Sequence, residues 1–252
     1  MQAPLHGKTA LITGASKGLG KAMALALAEA GAAIALVSRD EAKLNEVAEE
    51  IRAEGKRAEV FVADVSDEAQ VARVCTNVAA RLGGTLQILI NNAGINIRKP
   101  ITEFTLAEWH SVLDTNLTSV FLLCRAFVPL MQGQGYGRII NLTSMMSHIS
   151  LPGRTAYSAS KTALLGFNRA LALELAPDQI TVNGISPGVY DTEINAPLMQ
   201  NPELRAQFLG KIPIGRFGQP SEIGKLAVYL CSEDAGFITG TDIVIDGGWT
   251  AQ

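Results

Sequence analysis

The stretch "TGASKGLGKAMALALAEAG" at residues 13–31 begins at the end of a short apolar run, "KTALIT" at residues 8–13. Gly14, Gly18 and Gly20 open a segment rich in alanine and leucine, whose apolar spacing predicts a helix. A glycine loop that leads from a strand into a helix lets backbone N–H groups and the helix dipole approach a pyrophosphate. The stretch therefore predicts an α/β fold that begins with a nucleotide-binding turn.

Other interpretations of this loop are weaker. A P-loop would need a glycine where Ala15 stands and a serine or threonine where Ala22 stands, and the spacing G-x-G-x-x-G is also absent. A plain structural turn remains open for the loop taken alone. The position of the loop, after the first strand and before a helix, favours a nucleotide site.

Six further apolar runs alternate with segments of helical periodicity, at residues 32–38, 58–63, 86–91, 137–143, 180–186 and 241–246. Nearly continuous Ile, Val, Leu and Ala are typical of parallel strands that are buried on both faces. We therefore expect a single Rossmann domain over residues 1–252, with a doubly wound, seven-stranded parallel sheet and helices on both faces. An irregular region at about 187–220, with a short helix near 202–210, follows a strand end, where ligands bind in such sheets. We expect it to be a substrate loop.

The composition excludes several classes of function. A net charge of −3 with 18% charged residues gives no electrostatic footprint for nucleic acid or an anionic membrane. Cys75, Cys124 and Cys231 are scattered, which argues against a disulfide framework or a zinc site and suits a reducing cytoplasm. The start "MQAPLHGK" has no signal-like apolar segment, and we expect no apolar stretch long enough to cross a bilayer. We expect a cytoplasmic protein with no metal, nucleic-acid or membrane partner.

The end of the second strand bears on the identity of the nucleotide. An acid at its tip would bind the ribose 2′-hydroxyl of NAD, whereas an arginine nearby accepts the 2′-phosphate of NADP. Ser38 stands at the tip, Arg39 follows it, and Lys17 in the glycine loop supplies a second cation. We predict NADP(H) and interpret Asp40, the counterargument for NAD(H), as the N-cap of the next helix.

A tyrosine and a lysine lie four residues apart in "TAYSASKTALLGF" at residues 155–167. On a helix, Tyr157 and Lys161 would share one face, and a nearby ammonium favours the phenolate. Ser144 stands thirteen residues before Tyr157, just after a predicted strand, where its hydroxyl can polarise a substrate oxygen. The pattern Y-x-x-x-K is common by chance, but the serine and the glycine loop favour proton chemistry.

These segments together resemble the short-chain dehydrogenase/reductase family. The resemblance rests on Thr13-Gly14-x-x-x-Gly18-x-Gly20, Asn91-Asn92-Ala93-Gly94, Asn116, Ser144, Tyr157-x-x-x-Lys161 and Pro187-Gly188-x-x-x-Thr192. It runs from residue 8 to the terminal "IDGGW".

The resemblance implies roles for four catalytic residues. Tyr157 is the general acid/base, and Lys161 lowers the pKa of Tyr157 and binds the nicotinamide ribose. Ser144 holds the substrate oxygen, and Asn116 positions a water in a proton relay through Lys161. The implied reaction interconverts a secondary alcohol and a ketone.

The resemblance also implies a cofactor site and an assembly. Asp64 would contact the adenine beside Val65, and Tyr190 departs from the smaller residue usual at its position. The implied cofactor site comprises Thr13, Gly14, Ser16, Lys17, Gly18, Leu19, Gly20, Ser38, Arg39, Asp64, Val65, Asn92, Ala93, Gly94, Tyr157, Lys161, Pro187, Gly188, Tyr190 and Thr192. The implied assembly is a homotetramer with the helices around 105–131 and 157–176 as interfaces.

The substrate residues are predicted from the loops around the tyrosine. Arg98 in "NAGINIRKP" and Arg154 in "SMMSHISLPGR" bring positive charge that suits a carboxylate. The predicted substrate residues are Arg98, Ser144, Met146, His148, Arg154 and Tyr157.

These segments look most like the sugar-acid branch of the family, the gluconate 5-dehydrogenase-like enzymes, and next most like the 3-oxoacyl-carrier-protein reductase branch. A loop charge for Arg98 and a rim position for His148 remain open. A methyltransferase would not need the tyrosine–lysine pair. A catalytically inactive relative would usually lack one of the Tyr, Lys and Ser that are present here.

Overall fold

Seven parallel strands form one sheet in the computed structural model, which describes residues 3–252 except the side chains of residues 194, 196 and 197. The strand order is β3-β2-β1-β4-β5-β6-β7. The strands are β1 Thr9–Thr13, β2 Ala33–Ser38, β3 Ala58–Val62, β4 Ile88–Asn91, β5 Gly137–Leu142, β6 Ile180–Pro187 and β7 Asp242–Ile245. The predicted doubly wound sheet is confirmed, and each predicted strand end lies within two residues of the observed one.

Helices cover both faces of the sheet, because successive strand residues point to opposite sides. The helices are α1 Gly18–Glu29, α2 Glu41–Ala53, α3 Glu68–Leu82, α4 Leu106–Leu113, α5 Ser119–Met131, α6 Thr155–Leu175, α7 Ala196–Met199, α8 Pro202–Leu209 and α9 Pro220–Cys231. In β1, Ala10 and Ile12 pack with α1, α2 and α9, whereas Leu11 packs with α3, α5 and α6.

The N-cap predicted at Asp40 is confirmed, and α4 also begins with a side-chain cap. Asp40 Oδ1 accepts a hydrogen bond from Lys43 N at 3.1 Å and so caps α2. At α4, Glu108 N donates to Thr105 Oγ1 at 3.2 Å and Thr105 N donates to Glu108 Oε2 at 3.0 Å, which is the reciprocal pattern of a capping box.

The expectation that no apolar stretch is long enough to cross a bilayer was wrong. A π turn at Asp114–Thr118 joins α4 to α5, so that Leu106–Met131 is one helix of 26 residues, long and apolar enough to cross a membrane by length and composition. Its apolar character serves the core, since Val120, Leu123 and Phe127 are buried against the sheet. A core helix of a globular domain passes the same test.

A crevice opens where the strand order reverses, between β1 and β4, at the carboxyl ends of the strands. The irregular region after β6 lies at the same edge and contains α7 and α8, which confirms the short helix predicted near 202–210. The β-bridge between Tyr190 and Gly218 joins the two ends of this region. Trp249 from the C-terminal segment packs against Phe208 of α8, with ring centroids 5.5 Å apart.

Candidate active site

A cleft of about 690 Å³ runs along the carboxyl edge of the sheet and brings together most of the predicted site residues. Those that line it are Gly14, Ser16, Lys17, Gly18, Leu19, Gly20, Ser38, Arg39, Asp64, Val65, Asn92, Ala93, Gly94, Arg98, Ser144, Met146, Arg154, Tyr157, Lys161, Pro187, Gly188, Tyr190 and Thr192. Thr13, Asn116 and His148 do not line it.

The glycine loop forms one end of this cleft. Gly14 and Gly18 have φ values of +64° and +56°, which favour glycine. A Cβ on Gly20 would lie 2.2 Å from the carbonyl oxygen of Gly14, so only glycine lets the first turn of α1 come this close to the loop. The start of α1 then lines the cleft, and the N–H groups of a helix N-terminus suit a pyrophosphate.

Thr13 was expected to contact the cofactor, but it lies beneath the loop and is fully buried. Its Oγ1 accepts hydrogen bonds from Asn92 N at 3.0 Å and Ala93 N at 3.1 Å. The hydroxyl is therefore a brace that holds the segment after β4 against the glycine loop. Asn92 Nδ2 completes this contact by donating to the Thr13 carbonyl oxygen at 2.9 Å.

The opposite side of the glycine loop carries several charges. Arg39 is largely exposed, and its Nη1 lies 3.5 Å from Asp64 Oδ2. Lys17 and Lys43 line the same end of the cleft. The carboxylate of Asp40 is occupied by the backbone and ammonium of Lys43, and the backbone hydrogen bond is the main cause that lowers the pKa of Asp40. This supports its interpretation as a helix cap.

Ser144 and Tyr157 meet at the other end of the cleft. Ser144 follows β5 in an extended conformation, and its Oγ accepts a hydrogen bond from Met146 N at 3.1 Å. Its own hydroxyl proton is thereby left for a group in the cleft. Burial raises the pKa of the Tyr157 phenol, while a hydrogen bond with Ser144 and the charges of Arg154 and Arg98 oppose that rise.

The expected influence of Lys161 on Tyr157 needs a correction. Lys161 lies one helical turn beyond Tyr157, as predicted, but its Nζ donates to the carbonyl oxygen of Leu142 and lies 6.0 Å from the centre of the tyrosine ring. Burial lowers the pKa of Lys161 to about 8. The groups that lower the pKa of Tyr157 are Ser144, Arg154 and Arg98, and Lys161 is not among them.

Asn116 lies in the π turn between α4 and α5 and is fully buried. Its Oδ1 accepts from Ile95 N at 2.8 Å, and its Nδ2 donates to Ile95 O at 2.9 Å and to Ser160 Oγ at 3.1 Å. A Cβ on Gly94 would lie 3.2 Å from Asn116 Oδ1 and 3.6 Å from Lys161 Nζ. The Asn116 side chain and the Lys161 ammonium therefore both lie beside Gly94. The role of Asn116 in a water relay stays a prediction.

Two guanidinium groups flank the substrate end. Arg98 and Arg154 both line the cleft, and the pKa of Arg154 is lowered by burial and by the charge of Arg98. Lys99 N donates to Gly153 O at 3.2 Å, which ties the two arginine-bearing loops together. The Lys99 ammonium pairs with Glu108 of α4 and is therefore not free for an anion in the cleft.

His148 was predicted as a substrate residue, but its side chain does not line the cleft. Its Nε2 lies 2.6 Å from Asp242 Oδ2 and 3.3 Å from Ser186 Oγ, behind the wall of the cleft. Met146, by contrast, is buried in the wall as expected. The ring of Tyr190 is also buried, and its hydroxyl donates to Ile245 O at 3.0 Å, so the unusual tyrosine anchors the substrate loop.

No group of three or more His, Cys, Asp or Glu side chains in residues 3–252 is arranged to hold a metal ion.

The chain matches known proteins along almost its whole length. A family model described as enoyl-(acyl carrier protein) reductase matches residues 14–250. A 3-oxoacyl-[acyl-carrier-protein] reductase of Pseudomonas aeruginosa is 39% identical over 245 residues, 97% of this chain and 98% of that protein. The chain belongs to the short-chain dehydrogenase/reductase family.

Solved structures of this family superpose closely on the chain. A short-chain type dehydrogenase/reductase from Mycobacterium marinum is 42% identical with a TM-score of 0.93, and the match covers 100% of this chain and 98% of that one. A gluconate 5-dehydrogenase from Burkholderia cenocepacia, in complex with NADP and tartrate, is 36% identical with a TM-score of 0.94, at 100% and 98% coverage. Like its relatives, this short-chain dehydrogenase/reductase is an oxidoreductase that acts on alcohol and ketone groups.

Several residues that line the cleft were not predicted from the sequence. Lys43 joins the cations of the ribose end from the first turn of α2, and it could have been suggested by its place three residues after the capping Asp40. Leu198, Leu204 and Phe208 of the substrate loop close the other end. Their approach depends on how the loop folds back, for which the sequence carries no periodic signal.

Proposed function

We propose that the protein is an NADP(H)-dependent oxidoreductase that interconverts a ketone and a secondary alcohol on a sugar acid of the gluconate/5-ketogluconate type. The observation that carries this proposal is the pair of guanidinium groups, Arg98 and Arg154, beside the phenol of Tyr157. A carboxylate bound by these arginines would place a nearby carbonyl group of the same molecule at the tyrosine.

The residues at the glycine end of the cleft fit a dinucleotide. Gly14, Gly18 and Gly20 leave room for a pyrophosphate at the N-terminus of α1. Lys17 and Arg39 stand where a 2′-phosphate would lie, since they flank the carboxyl end of β2. The relative from Burkholderia cenocepacia was crystallised with NADP, which supports the same preference here. When bound, the nicotinamide supplies the hydride.

The protein residues then hold the substrate and move a proton. The Ser144 hydroxyl donates a hydrogen bond to the carbonyl oxygen of the substrate. Tyr157 transfers the proton that converts this oxygen to a hydroxyl. A phenol whose pKa is raised by burial is protonated at neutral pH and therefore ready to act as the acid in reduction. Lys161, with a pKa near 8, can pass a proton through the buried region below the tyrosine.

The substrate end supports an anionic, hydroxylated molecule. Arg154 is partly buried, so its interaction with a carboxylate would be poorly screened by water. Arginine offers two parallel N–H donors to a carboxylate. The gluconate 5-dehydrogenase relative was crystallised with tartrate, itself a hydroxy acid, which agrees with this chemistry.

The second candidate is reduction of a 3-oxoacyl thioester. It is favoured by the 39% identity with the reductase of Pseudomonas aeruginosa and by the apolar side chains of Leu198, Leu204 and Phe208 at the cleft, which could accept an acyl chain. It leaves the two arginines beside the phenol without a ligand, which is why we rank it second.

Steady-state oxidation of NADPH with 5-ketogluconate, beside a 3-oxoacyl thioester, separates the two candidates. We expect turnover on the keto acid and little on the thioester. Efficient turnover on the thioester alone would overturn the sugar-acid assignment and leave the family chemistry intact. Arg154→Lys, which keeps the charge but loses the two-pronged geometry, is expected to raise the KM for the keto acid selectively.

We also propose that the protein assembles as a homotetramer. The helices α4–α5 and α6 expose apolar side chains, with Phe121 at 47% and Leu173 at 80% exposure. Phe237, in the segment before the edge strand β7, is also fully exposed. Exposed apolar side chains of this kind suit contacts between copies of the chain. Light scattering after gel filtration should give four chains, and Leu173→Glu should yield dimers.

A cytoplasmic location is proposed from the thiols. Cys75, Cys124 and Cys231 are free, and burial raises the pKa of Cys124 and of Cys231 to about 12, which keeps these two thiols unreactive. Fractionation of cells that express a tagged chain would test the proposal, and recovery from an oxidising compartment would contradict it.

A further inference from the structure

Asp242, the first residue of β7, holds three hydrogen-bonding partners from distant parts of the chain. Its Oδ1 accepts from Thr143 Oγ1 at 2.6 Å, and its Oδ2 accepts from Ser186 Oγ at 2.5 Å and lies 2.6 Å from His148 Nε2. The Asp242 side chain is only 9% exposed. We call these four residues the Asp242 clamp.

The clamp contacts the backbone segment that carries Ser144 and the strand beside it. Thr143 directly precedes Ser144 in the chain, and His148 ends the short turn Met145–Ser147 that follows it. Ser186 comes from the neighbouring strand β6, and its Oγ lies 2.9 Å from the carbonyl oxygen of Ser144. One carboxylate thus connects the residue before the serine, the residue after its turn, and the adjacent strand.

The fold makes room for this carboxylate. A Cβ on Gly184 of β6 would lie only 1.9 Å from Asp242 Oδ1, so any other residue at position 184 would displace it. A buried carboxylate is costly without donors, but here two hydroxyl groups and an imidazole nitrogen surround it. The arrangement is therefore a built polar site in a mostly apolar edge of the sheet.

Asp242 does not line the cleft, so it cannot touch the substrate directly, whereas Ser144 does line it. We propose that Asp242 is a positioning residue that sets the direction of the Ser144 hydroxyl through the clamp. Hydrogen bonds to an ionised acceptor are stronger than neutral ones, so the clamp holds the turn firmly. The Ser144 hydroxyl is then already oriented when the substrate oxygen arrives, which lowers the activation barrier of the chemical step. The affinity for the cofactor is not affected.

Asp242→Asn tests this inference, because it keeps the size of the side chain and removes its charge. We expect kcat to fall about tenfold with the ketone that the parent enzyme reduces fastest, while the Kd of NADPH stays within about twofold. Hydrogen exchange should become faster in a peptide that covers residues 143–149 and stay unchanged in one that covers α6. His148→Ala, which removes one of the three partners, should give a smaller loss in the same direction.

A stability control separates positioning from general destabilisation. Ile51→Val removes one buried methylene group from the core beneath α2, away from the cleft. This variant should lower Tm without lowering kcat. A kcat within about twofold of the parent in Asp242→Asn, or unchanged exchange in residues 143–149, would overturn the inference. If Asp242→Asn does not fold, Ser186→Ala is judged by the same limits.

The inference rests on the family's carbonyl chemistry and not on the sugar-acid proposal. The exchange measurement needs no substrate, and the kinetic arm runs equally with a thioester. Failure of 5-ketogluconate as a substrate is therefore distinguishable from failure of the clamp.

Discussion

The ammonium nitrogen of Lys161 lies 6.0 Å from the centre of the Tyr157 ring and donates its hydrogen bond to the carbonyl oxygen of Leu142. Both side chains are thus held beside the cleft by the same helix, but they do not form an ion pair. Burial has opposite consequences for the two groups, since it raises the pKa of the phenol and lowers that of the amine.

The lowered pKa of Lys161 makes stability depend on pH. A folded-state pKa of about 8, against an ordinary value of 10.5, means that the folded chain releases this proton before the unfolded chain does. The unfolded state then binds more protons between these two values, so the contribution of Lys161 to stability rises as pH increases from about 8 to about 10.5. Below pH 8 the buried ammonium only costs stability.

Lys161→Met removes this dependence. The free energy of unfolding of the parent, relative to Lys161→Met, should increase by about 2 kcal/mol between pH 8 and pH 9.5. Urea denaturation of both proteins at the two pH values measures the difference. A constant difference would show that the amine keeps an ordinary pKa in the folded protein.

Two glycine positions form a matched pair for the cofactor loop. Gly20→Ala forces a Cβ to within 2.2 Å of the Gly14 carbonyl oxygen, so the loop must open and NADPH binding should weaken by about tenfold or more. Gly166 lies in α6 outside the cleft, where a new Cβ meets no atom of the chain within 4 Å, so Gly166→Ala should leave NADPH binding unchanged. Fluorescence titration with NADPH and thermal melts of both variants check this. Equal NADPH affinity in the two would contradict the assigned role of the loop.

Arg39 should determine the choice between the two nicotinamide cofactors. Arg39→Ala removes a charged donor to the 2′-phosphate, and we expect the KM for NADPH to rise about tenfold while that for NADH changes little. Lys21→Ala is the control, because Lys21 lies on the same helix as the glycine loop but pairs with Glu50 outside the cleft. A parallel rise for both cofactors would mean that Arg39 acts on the fold of the loop.

Arg98 should act on acidic substrates alone. In Arg98→Ala the KM for 5-ketogluconate should rise about tenfold or more, whereas kinetics with an uncharged ketone should be unaffected. Arg73→Ala, at an exposed position on α3, provides the control for a general change in surface charge. An unchanged KM for the keto acid would make Arg98 a solvated loop residue.

The sheet could be predicted from the sequence because its strands are buried on both faces. Such strands appear as uninterrupted apolar runs, as in residues 137–143, and their ends are marked by polar residues such as Ser144. The glycine loop and the Tyr157–Lys161 pair could also be predicted, because the residues of each motif lie within a few positions of one another in the sequence. The structure therefore confirms the fold and gathers most of the predicted site in one cleft.

The predicted site residues that lie outside the cleft are held by contacts with distant residues. His148 was placed at the substrate because its local sequence borders the cleft, but its partner Asp242 lies 94 positions away. Thr13 was assigned to the cofactor, although its hydroxyl is used by the backbone of Asn92, 79 positions away. Polar pairs of this kind leave no periodic signal, so their geometry comes only from the folded chain.

The central claim is that Tyr157 supplies the proton for ketone reduction, and Tyr157→Phe tests it most directly. Turnover with NADPH and the fastest ketone substrate should fall by ~10²–10⁴-fold, because the ring remains and only the acid is lost. NADPH affinity, measured by fluorescence on the same sample, should stay within about twofold. Turnover within about tenfold of the parent would contradict the account and would require another residue to be the acid.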